Sequence, residues 1–208
     1  MNLRQALARY LLFFGKNKIR YNALKSFTKT SWYETDLNKY LASFAKSSLD
    51  ADKKKELQQN FCLRMSAREH RDPLFLPEPY KDACFTLALY KYDKLLVEEK
   101  QYEYLACIGF DTDVLRDYIV VKQIQGNQGK WKLLCLFKWE RMLLAILTDW
   151  ARKSGFSQIR VIQAKEQTFF KPISEEKTKR MLMHYDVTAR RSGFAFNQSI
   201  GQYVKVVT

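Results

Sequence analysis

The chain has 208 residues, of which 47% are hydrophobic and 14% aromatic; this composition suffices for a buried core and excludes a disordered or collagen-like protein. With 36 lysines and arginines against 22 acidic residues, the formal net charge is +14, so the surface should attract polyanions such as RNA, DNA, an anionic membrane or a phosphorylated cofactor. Net charge informs about partners rather than about the fold, and many of these lysines could simply be solvated.

Four widely spaced cysteines, Cys62, Cys84, Cys107 and Cys135, form no Cys-x-x-Cys pair and have no histidine at metal-ligand spacing. The sequence therefore predicts neither a zinc site nor a disulfide framework. The N-terminus lacks the pattern of a signal peptide, and no apolar stretch is long enough for a membrane span. We expect a cytoplasmic protein.

Helical spacing dominates the first third of the chain. Apolar residues recur at helical spacing over Leu3–Phe14 with basic neighbours, a pattern that could lie on a membrane or on RNA but more often packs on its own domain. Further helices are predicted from about Thr35 to Lys46 and from after Ser48 to about Arg68. The prolines of DPLFLPEP (72–79) exclude a continuing helix. We therefore divide the chain into a basic helical N-terminal region, 1–72, and a mixed-sheet domain, 73–208.

Strand-like segments follow this boundary. Ala83–Tyr92 and Tyr102–Phe110 are rich in β-formers and predict an antiparallel hairpin. The continuous apolar run within Asp117–Gln125 is typical of a central strand. A last helix is predicted over about Glu175–Ser192, and a closing strand over about Gln202–Val207.

The stretch 117–164 predicts a βαβ unit. A glycine loop, Gly126–Lys130, follows the central strand, and the apolar stripe of about Phe137–Lys153 indicates an amphipathic helix ended by Gly155. The next strand, Gln158–Ala164, should lie parallel to the first because a helix crosses between them. In such units the loop between strand and helix is where a phosphate-bearing ligand usually binds.

Three strings within residues 84–207 resemble the GNAT family of acyl-CoA N-acyltransferases. LLAILTDWARKSGFSQIRV (143–161) is similar to the family's helix and following strand, and YDVTARRSGF (185–194) resembles its late helix, which ends in Gly-Phe. QIQGNQG (123–129) falls where the family carries its pyrophosphate loop. The combination is also similar to the GNAT-like VirK/YbjX group. The resemblance implies an α/β fold with a mixed sheet, here preceded by a helical N-terminal extension.

The resemblance also implies acetyl-CoA or another acyl-CoA as cofactor and an amine as acceptor. Backbone N–H groups of the loop could bind the pyrophosphate, with lysines adding charge. This chain departs from the family at Gln128, where the family has glycine or alanine, and in the segment WKLLCLF (131–137) between loop and helix. The residues implied for cofactor binding are Gln123, Ile124, Gln125, Gly126, Gln128, Gly129 and Lys130.

The family often places a general-acid tyrosine four residues before the late Gly-Phe, and this chain has Ala189 there. Tyr185, one turn earlier on the same helix face, is the candidate replacement. A general base could come from Glu103 or Asp117 near the central strands, although each is equally well interpreted as a solvent-facing strand residue. For His184 we expect a surface position without a catalytic role.

Two functions follow from these observations. The first is an acyl-CoA-dependent N-acyltransferase that works mainly by positioning its substrates. The alternative is a catalytically inactive GNAT-like scaffold that binds RNA, DNA or a large ribonucleoprotein or virion assembly through its basic surface. In GNAT-like folds the pantetheine enters a V-shaped gap between the strands predicted here at 117–125 and 158–164. An open gap would favour the enzyme, and a gap filled by side chains would favour the scaffold.

Overall fold

The computed structural model describes residues 3–28, 31–33, 35–53, 61–68, 82–92, 102–112, 115–167 and 174–207. Their strands form one eight-stranded sheet in the order β1-β2-β3-β4-β5-β6-β8-β7, in which every pair is antiparallel except β5 with β6. The strands are β1 (Ser31–Trp32), β2 (Phe61–Ala67), β3 (Phe85–Tyr92), β4 (Tyr102–Asp111), β5 (Tyr118–Gly126), β6 (Gln158–Ile162), β7 (Ala195–Asn197) and β8 (Gln202–Val206). The α/β mixed sheet is as predicted.

The helices of the described residues are distributed along the whole chain. They are α1 (Leu3–Thr28), α2 (Leu37–Phe44), α3 (Trp131–Leu134), α4 (Trp139–Lys153), α5 (Glu175–Leu182) and α6 (Thr188–Arg191). Short 3-10 turns cover Gln128–Lys130 and Ala164–Glu166, and a π turn, Met183–Val187, joins α5 to α6. None of these helices is both long and apolar enough to cross a bilayer.

The helix predicted from after Ser48 to about Arg68 is wrong over its last part. Phe61–Ala67 is strand β2 and pairs along its whole length with β3. Five consecutive residues of β2, from Leu63 to Ala67, are buried, including the polar Arg64 and Ser66. Their polar side chains gave the segment a pattern typical of a solvated helix. Region 1–72 is therefore not purely helical, since it contributes β1 and β2 to the same sheet as the residues after 82. The segment 72–79 lies outside the described residues.

Helix α4 packs on the sheet and contributes a continuous stripe of buried residues to the core. Its apolar stripe is fully buried, with Leu143, Ile146 and Leu147 at or below 1% exposure, and each such side chain contributes about 1.5–3 kcal/mol. Leu24 of α1 and Leu41 of α2 belong to the same hydrophobic cluster. The N-terminal helices are thus part of the main core.

One buried arginine connects α1 to the βαβ unit. Arg20 is 5% exposed, and it donates from Nε to the carbonyl of Gly155 at 3.1 Å and from Nη1 to the carbonyl of Arg116 at 2.9 Å. Gly155 ends α4 with a φ of 76°, a left-handed conformation that favours glycine. The entry to β5 and the exit from α4 are therefore held together by α1.

A β-bulge divides β5 into two halves. Phe110 of β4 pairs with Val121 and Gly109 pairs with Gln123, so Lys122 is the extra residue. The close approach of Gln123 to the β4 backbone needs the glycine, because a Cβ on Gly109 would lie 2.8 Å from Gln123 Oε1. Parallel pairing of β5 with β6 covers Tyr118–Val121 and stops there, immediately before the bulge. The bulge bends β5 away from its neighbour and opens a gap.

Candidate active site

A cleft of about 500 Å³ opens at the C-terminal end of β5, beyond the bulge. Its floor is formed by the last residues of β5 and by the loop that follows, and its walls come from the helices that flank them. The residues that line it are Ile124, Gln125, Gly126, Asn127, Gln128, Trp131, Trp139, Arg180 and His184. The cleft therefore lies where the βαβ unit predicts a ligand.

Several backbone N–H groups of the loop after β5 already form hydrogen bonds within the protein. The Asn127 N–H donates to the Leu105 carbonyl at 2.7 Å, and the Gly129 N–H donates to the Asn127 side-chain oxygen at 3.0 Å. The Lys130 N–H donates to the Asn127 carbonyl, also at 3.0 Å. These three N–H groups are the kind expected to hold a pyrophosphate, and they are already satisfied, two within the loop and that of Asn127 by β4. The short helix α3 then separates the loop from α4.

Gly126 allows α4 to pack closely against the floor of the cleft. A Cβ at this position would lie 3.0 Å from the Trp139 ring and 3.1 Å from Leu134 Cδ1. The glycine is thus explained by close packing of a tryptophan, and this requirement is independent of any phosphate.

The gap between β5 and β6 is filled by the side chain of Tyr185. Its hydroxyl oxygen accepts from the Ile124 N–H at 3.0 Å and donates to the Lys122 carbonyl at 3.4 Å. Gln167, after β6, also donates to the Lys122 carbonyl through its side-chain amide. Polar side chains therefore replace the strand pairing that the bulge removes.

The π turn sets the position of Tyr185. Its neighbour Asp186 accepts from the Ala164 N–H at 3.0 Å and from the Tyr203 hydroxyl at 3.0 Å, so the turn is tied to the end of β6 and to β8. Tyr185 is 5% exposed, and this burial raises the pKa of its hydroxyl. The hydroxyl is protonated at neutral pH, as it would be without burial, and the raised pKa makes it a weaker acid than an exposed tyrosine.

Helix α5 and the π turn supply a basic wall to the cleft. Arg180 and His184 lie one turn apart and both line the cleft. The Nδ1 of His184 lies 2.9 Å from Oε1 of Glu140 on α4, and its ring centroid lies 5.6 Å from that of Trp139. A carboxylate accepts from Nδ1–H, which assigns the proton of a neutral ring to Nδ1 and leaves Nε2 to act on a ligand.

The structure brings part of the predicted site together. Ile124, Gln125, Gly126 and Gln128 line the cleft, and Tyr185 contacts its floor through Ile124. Gly129 and Lys130 lie in the adjoining 3-10 turn, where Lys130 forms an ion pair with Glu103 of β4. Glu103 thus lies beside the loop rather than inside the cleft.

Two of the predicted residues lie elsewhere. Gln123 is 2% exposed and does not line the cleft; its side-chain amide donates to Gln125 Oε1 at 2.6 Å and its Oε1 accepts from the Asp82 N–H at 3.2 Å. Asp117 precedes the first residue of β5 and accepts from the Ser157 hydroxyl at 2.8 Å. It is therefore separated from the cleft by the length of the strand.

Sequence reasoning missed the basic wall of the cleft. His184 was expected on the surface without a role, whereas it lines the cleft and is held by Glu140. The spacing of Arg180 and His184 was a usable signal, since residues four apart share a helix face. The partner of His184 on α4, Glu140, lies 44 residues away in sequence, and no local pattern shows it.

A second cleft, of about 440 Å³, lies on the other side of the β5–β6 gap. It borders Lys122 and the turn after β6, and its charged residues are of both signs, with Asp82 and Glu166 against Lys122 and Lys165. Within the described part of the chain, no three histidine, cysteine or acidic side chains are grouped so that they could hold a metal ion. The two clefts and the tyrosine between them are the features available for chemistry.

No family model and no curated protein matches the chain. Among solved structures, it is similar to a GNAT family N-acetyltransferase from Escherichia coli in complex with CoA, with 11% identity, 86% of this chain and 81% of that chain covered, and a TM-score of 0.35. It is also similar to a GNAT family acetyltransferase from Staphylococcus aureus, with 10% identity, coverages of 86% and 98%, and a TM-score of 0.34. Identity and TM-score are both low, so the proposals below rest on the geometry of this chain.

Proposed function

We propose that the protein is an acyl-CoA-dependent N-acyltransferase that transfers an acyl group to an amine. The observation that carries this proposal is the 500 Å³ cleft at the point where β5 separates from its parallel partner β6. Ligands of open α/β sheets bind outside the carboxyl ends of the strands, in crevices of this kind. Placement within the VirK/YbjX group stays a prediction.

The cleft fits the anionic and aromatic parts of such a ligand through side chains. Arg180 supplies hydrogen-bond donors for phosphate oxygens, and the Nε2 of neutral His184 accepts a hydrogen bond from a ligand hydroxyl or amide. The Trp131 ring, 54% exposed, offers a face for a base. Bound acyl-CoA would supply the activated acyl group as a thioester. The loop residues contribute the floor and the shape of the cleft, while the N–H of Asn127 is bonded to Leu105 of β4 and that of Gly129 to the Asn127 side chain.

Tyr185 is the residue we assign to proton transfer. Its hydroxyl lies in the gap between the two clefts and, like any tyrosine, is protonated at neutral pH, so it can donate a proton; burial raises its pKa and makes it a weaker acid than an exposed tyrosine. Entry of a ligand into the gap requires this hydroxyl to release the Ile124 N–H. An acceptor amine would approach through the second cleft, past Lys122. A catalytic-base role of Glu103 or Asp117 stays a prediction.

The test combines binding with turnover. Thermal unfolding should shift upward with CoA, and at a concentration of 100 times Kd the stabilisation should reach about 2.7 kcal/mol. Arg180→Gln should reduce the shift, whereas Arg152→Gln, on the exposed end of α4, should not. Thiol release from acetyl-CoA with a panel of primary amines should fall in Tyr185→Phe while CoA binding is retained. No shift with millimolar CoA would refute the proposal.

The second candidate is the catalytically inactive scaffold, and the filled gap favours it. The Tyr185 hydroxyl forms hydrogen bonds with the Ile124 N–H and the Lys122 carbonyl, which diverging strands would otherwise offer to a ligand. The net charge of +14 then points to a polyanionic partner such as RNA. The scaffold hypothesis predicts no thermal shift with CoA. It also predicts RNA binding whose log affinity falls linearly with the log of the salt concentration. Undetectable or salt-insensitive RNA binding would exclude it.

A further inference from the structure

A cavity of about 230 Å³ lies apart from both clefts, where the ends of α2 and α6 meet the side of α4. We call it the α4–α6 cavity. Hydrophobic and small residues form its base, and its polar groups come from α4, from the end of α6 and from β8. Its lining is Phe44, Arg141, Leu144, Ala145, Thr148, Arg191, Ser192, Gly193 and Lys205.

The charge of this cavity is one-sided. Its lining holds three cations, Arg141, Arg191 and Lys205, and, among the residues described, no carboxylate. Lys205 donates to the Ser192 carbonyl at 2.9 Å, which fixes its ammonium group at the cavity. Neither arginine forms an ion pair with a described acidic residue. Three cations close together without a counterion repel one another, and an anion between them would relieve that repulsion.

Two buried donors of the same cavity lack a hydrogen-bond partner among the described residues. They are Nε of Arg141 and Oγ of Ser192. A buried donor without a partner destabilises the folded state, so native proteins keep such groups where a ligand or water uses them. The Arg141 guanidinium is held in place from one side by the Phe44 ring, whose centroid lies 5.9 Å from Cζ.

A second cavity of about 220 Å³ adjoins the first and shares Arg141 and Arg191 with it. It adds Lys46 and Lys138 to the same positive surface, and its one carboxylate among the described residues, Glu140, is engaged by His184. The positive field therefore continues from the α4–α6 cavity toward solvent.

We propose that the α4–α6 cavity binds a phosphate group, as the free ion or as a phosphate ester. The planar guanidinium forks of two arginines match phosphate oxygens, and a hydroxyl donor and an ammonium group complete the surroundings. A dianion is favoured over a carboxylate because three cations face it. With about 30 Å³ per water molecule, a cavity of 230 Å³ holds a phosphate with room for part of its ester. This site is independent of the acyltransferase proposal.

The test is calorimetric titration of the whole protein with inorganic phosphate at constant ionic strength, with chloride as the reference salt. Saturable binding of phosphate but not of chloride is expected. Arg191→Gln and Arg141→Gln should each weaken it roughly tenfold or more, because each removes charged hydrogen bonds. Lys153→Gln removes the same charge from the exposed end of α4 and should leave the affinity within about twofold.

Equal phosphate affinity in the wild type and both arginine variants would overturn the proposal, as would a response matched by chloride. Arg191 is exposed, so its variant should fold even if Arg141→Gln does not. Competition then identifies the source of the phosphate. Displacement by a nucleoside monophosphate identifies a small ester, and displacement only by an RNA oligonucleotide identifies a nucleic-acid backbone; either result supports the site. Retention of the CoA-induced thermal shift in Arg191→Gln would separate this site from the cleft.

Discussion

The two halves of β5 show how one strand can serve first as core and then as a site. Tyr118–Val121 pairs with β6, its residues Val120 and Val121 pair with β4 as well, and the side chains of Ile119 and Val121 are completely buried. Gln123–Gly126 pairs with β4 only, and its other edge faces the Tyr185 hydroxyl and the cleft. Within a few residues the strand thus changes from pairing on both edges to pairing on one edge, and its other edge is open to side chains or a ligand.

The difference originates in a single extra residue, Lys122. A bulge bends its strand and ends the local ladder, and here the parallel pairing stops at the residue before it. The groups left without strand partners are satisfied by side chains from elsewhere, namely Tyr185 and Gln167. Side chains can move aside where a strand cannot, so the second half of β5 can exchange partners with a ligand.

The largest effect should come from the first half. Ile119 is completely buried between α4 and the sheet, and Ile119→Ala should lower the free energy of unfolding by about 2–5 kcal/mol because it leaves a cavity. Ile119→Val provides the graded control, with a loss of about 0.5–1.5 kcal/mol. Urea unfolding followed by circular dichroism measures both. A loss below that of the valine variant would mean that this half is not the rigid part of the strand.

Tyr185→Phe tests the second half directly. The substitution keeps the ring but removes the hydroxyl that accepts from the Ile124 N–H, and a buried N–H without a partner costs about 1–3 kcal/mol. The expected loss of unfolding free energy lies in that range and below that of Ile119→Ala. Tyr21→Phe, whose ring is 54% exposed, should stay within about 0.5 kcal/mol. No difference between the two variants would show that the Ile124 N–H finds another partner.

The sequence predicted the buried first half of β5 and little of the second half, which borders the cleft. The apolar run of β5 and the helical stripe of α4 are local signals, and the structure contains both elements near their predicted positions. The glycine at 126 also marked the right place for a cleft. The direction of the loop N–H groups could not be predicted, because it depends on the side chain of Asn127 turning inward.

Long-range pairing explains the remaining misses. β2 holds Arg64 and Ser66 at buried positions that only its pairing with β3 makes favourable, so its local pattern suggested a helix. His184 gains its place through the π turn and through Glu140, neither of which has a sequence signature.

The ion pair at the bulge should make stability depend on pH. Burial tends to raise the pKa of Asp111, but the Lys122 ammonium and the Cys84 N–H outweigh it, and the net pKa is lowered. A lowered folded-state pKa contributes stability that is present above the ordinary value of about 3.9 and is lost as the pH falls through the folded-state value. The urea midpoint should therefore drop between about pH 5 and pH 3 more steeply in the wild type than in Asp111→Asn. Parallel pH profiles would show that Asp111 contributes nothing at the bulge.

The smallest effect should come from the residue at the far end of the strand. With about 3.3 Å per residue, the nine residues of β5 place Asp117 roughly 30 Å from the end that forms the cleft. Asp117→Asn removes an exposed charge and weakens one hydrogen bond to Ser157, which should cost less than about 1 kcal/mol. Because Asp117 lies far from the cleft, the proposed CoA-induced thermal shift should be the same in this variant as in the wild type. A lost shift with unchanged stability would instead make Asp117 part of the site, and the two halves of the strand would then act as one unit.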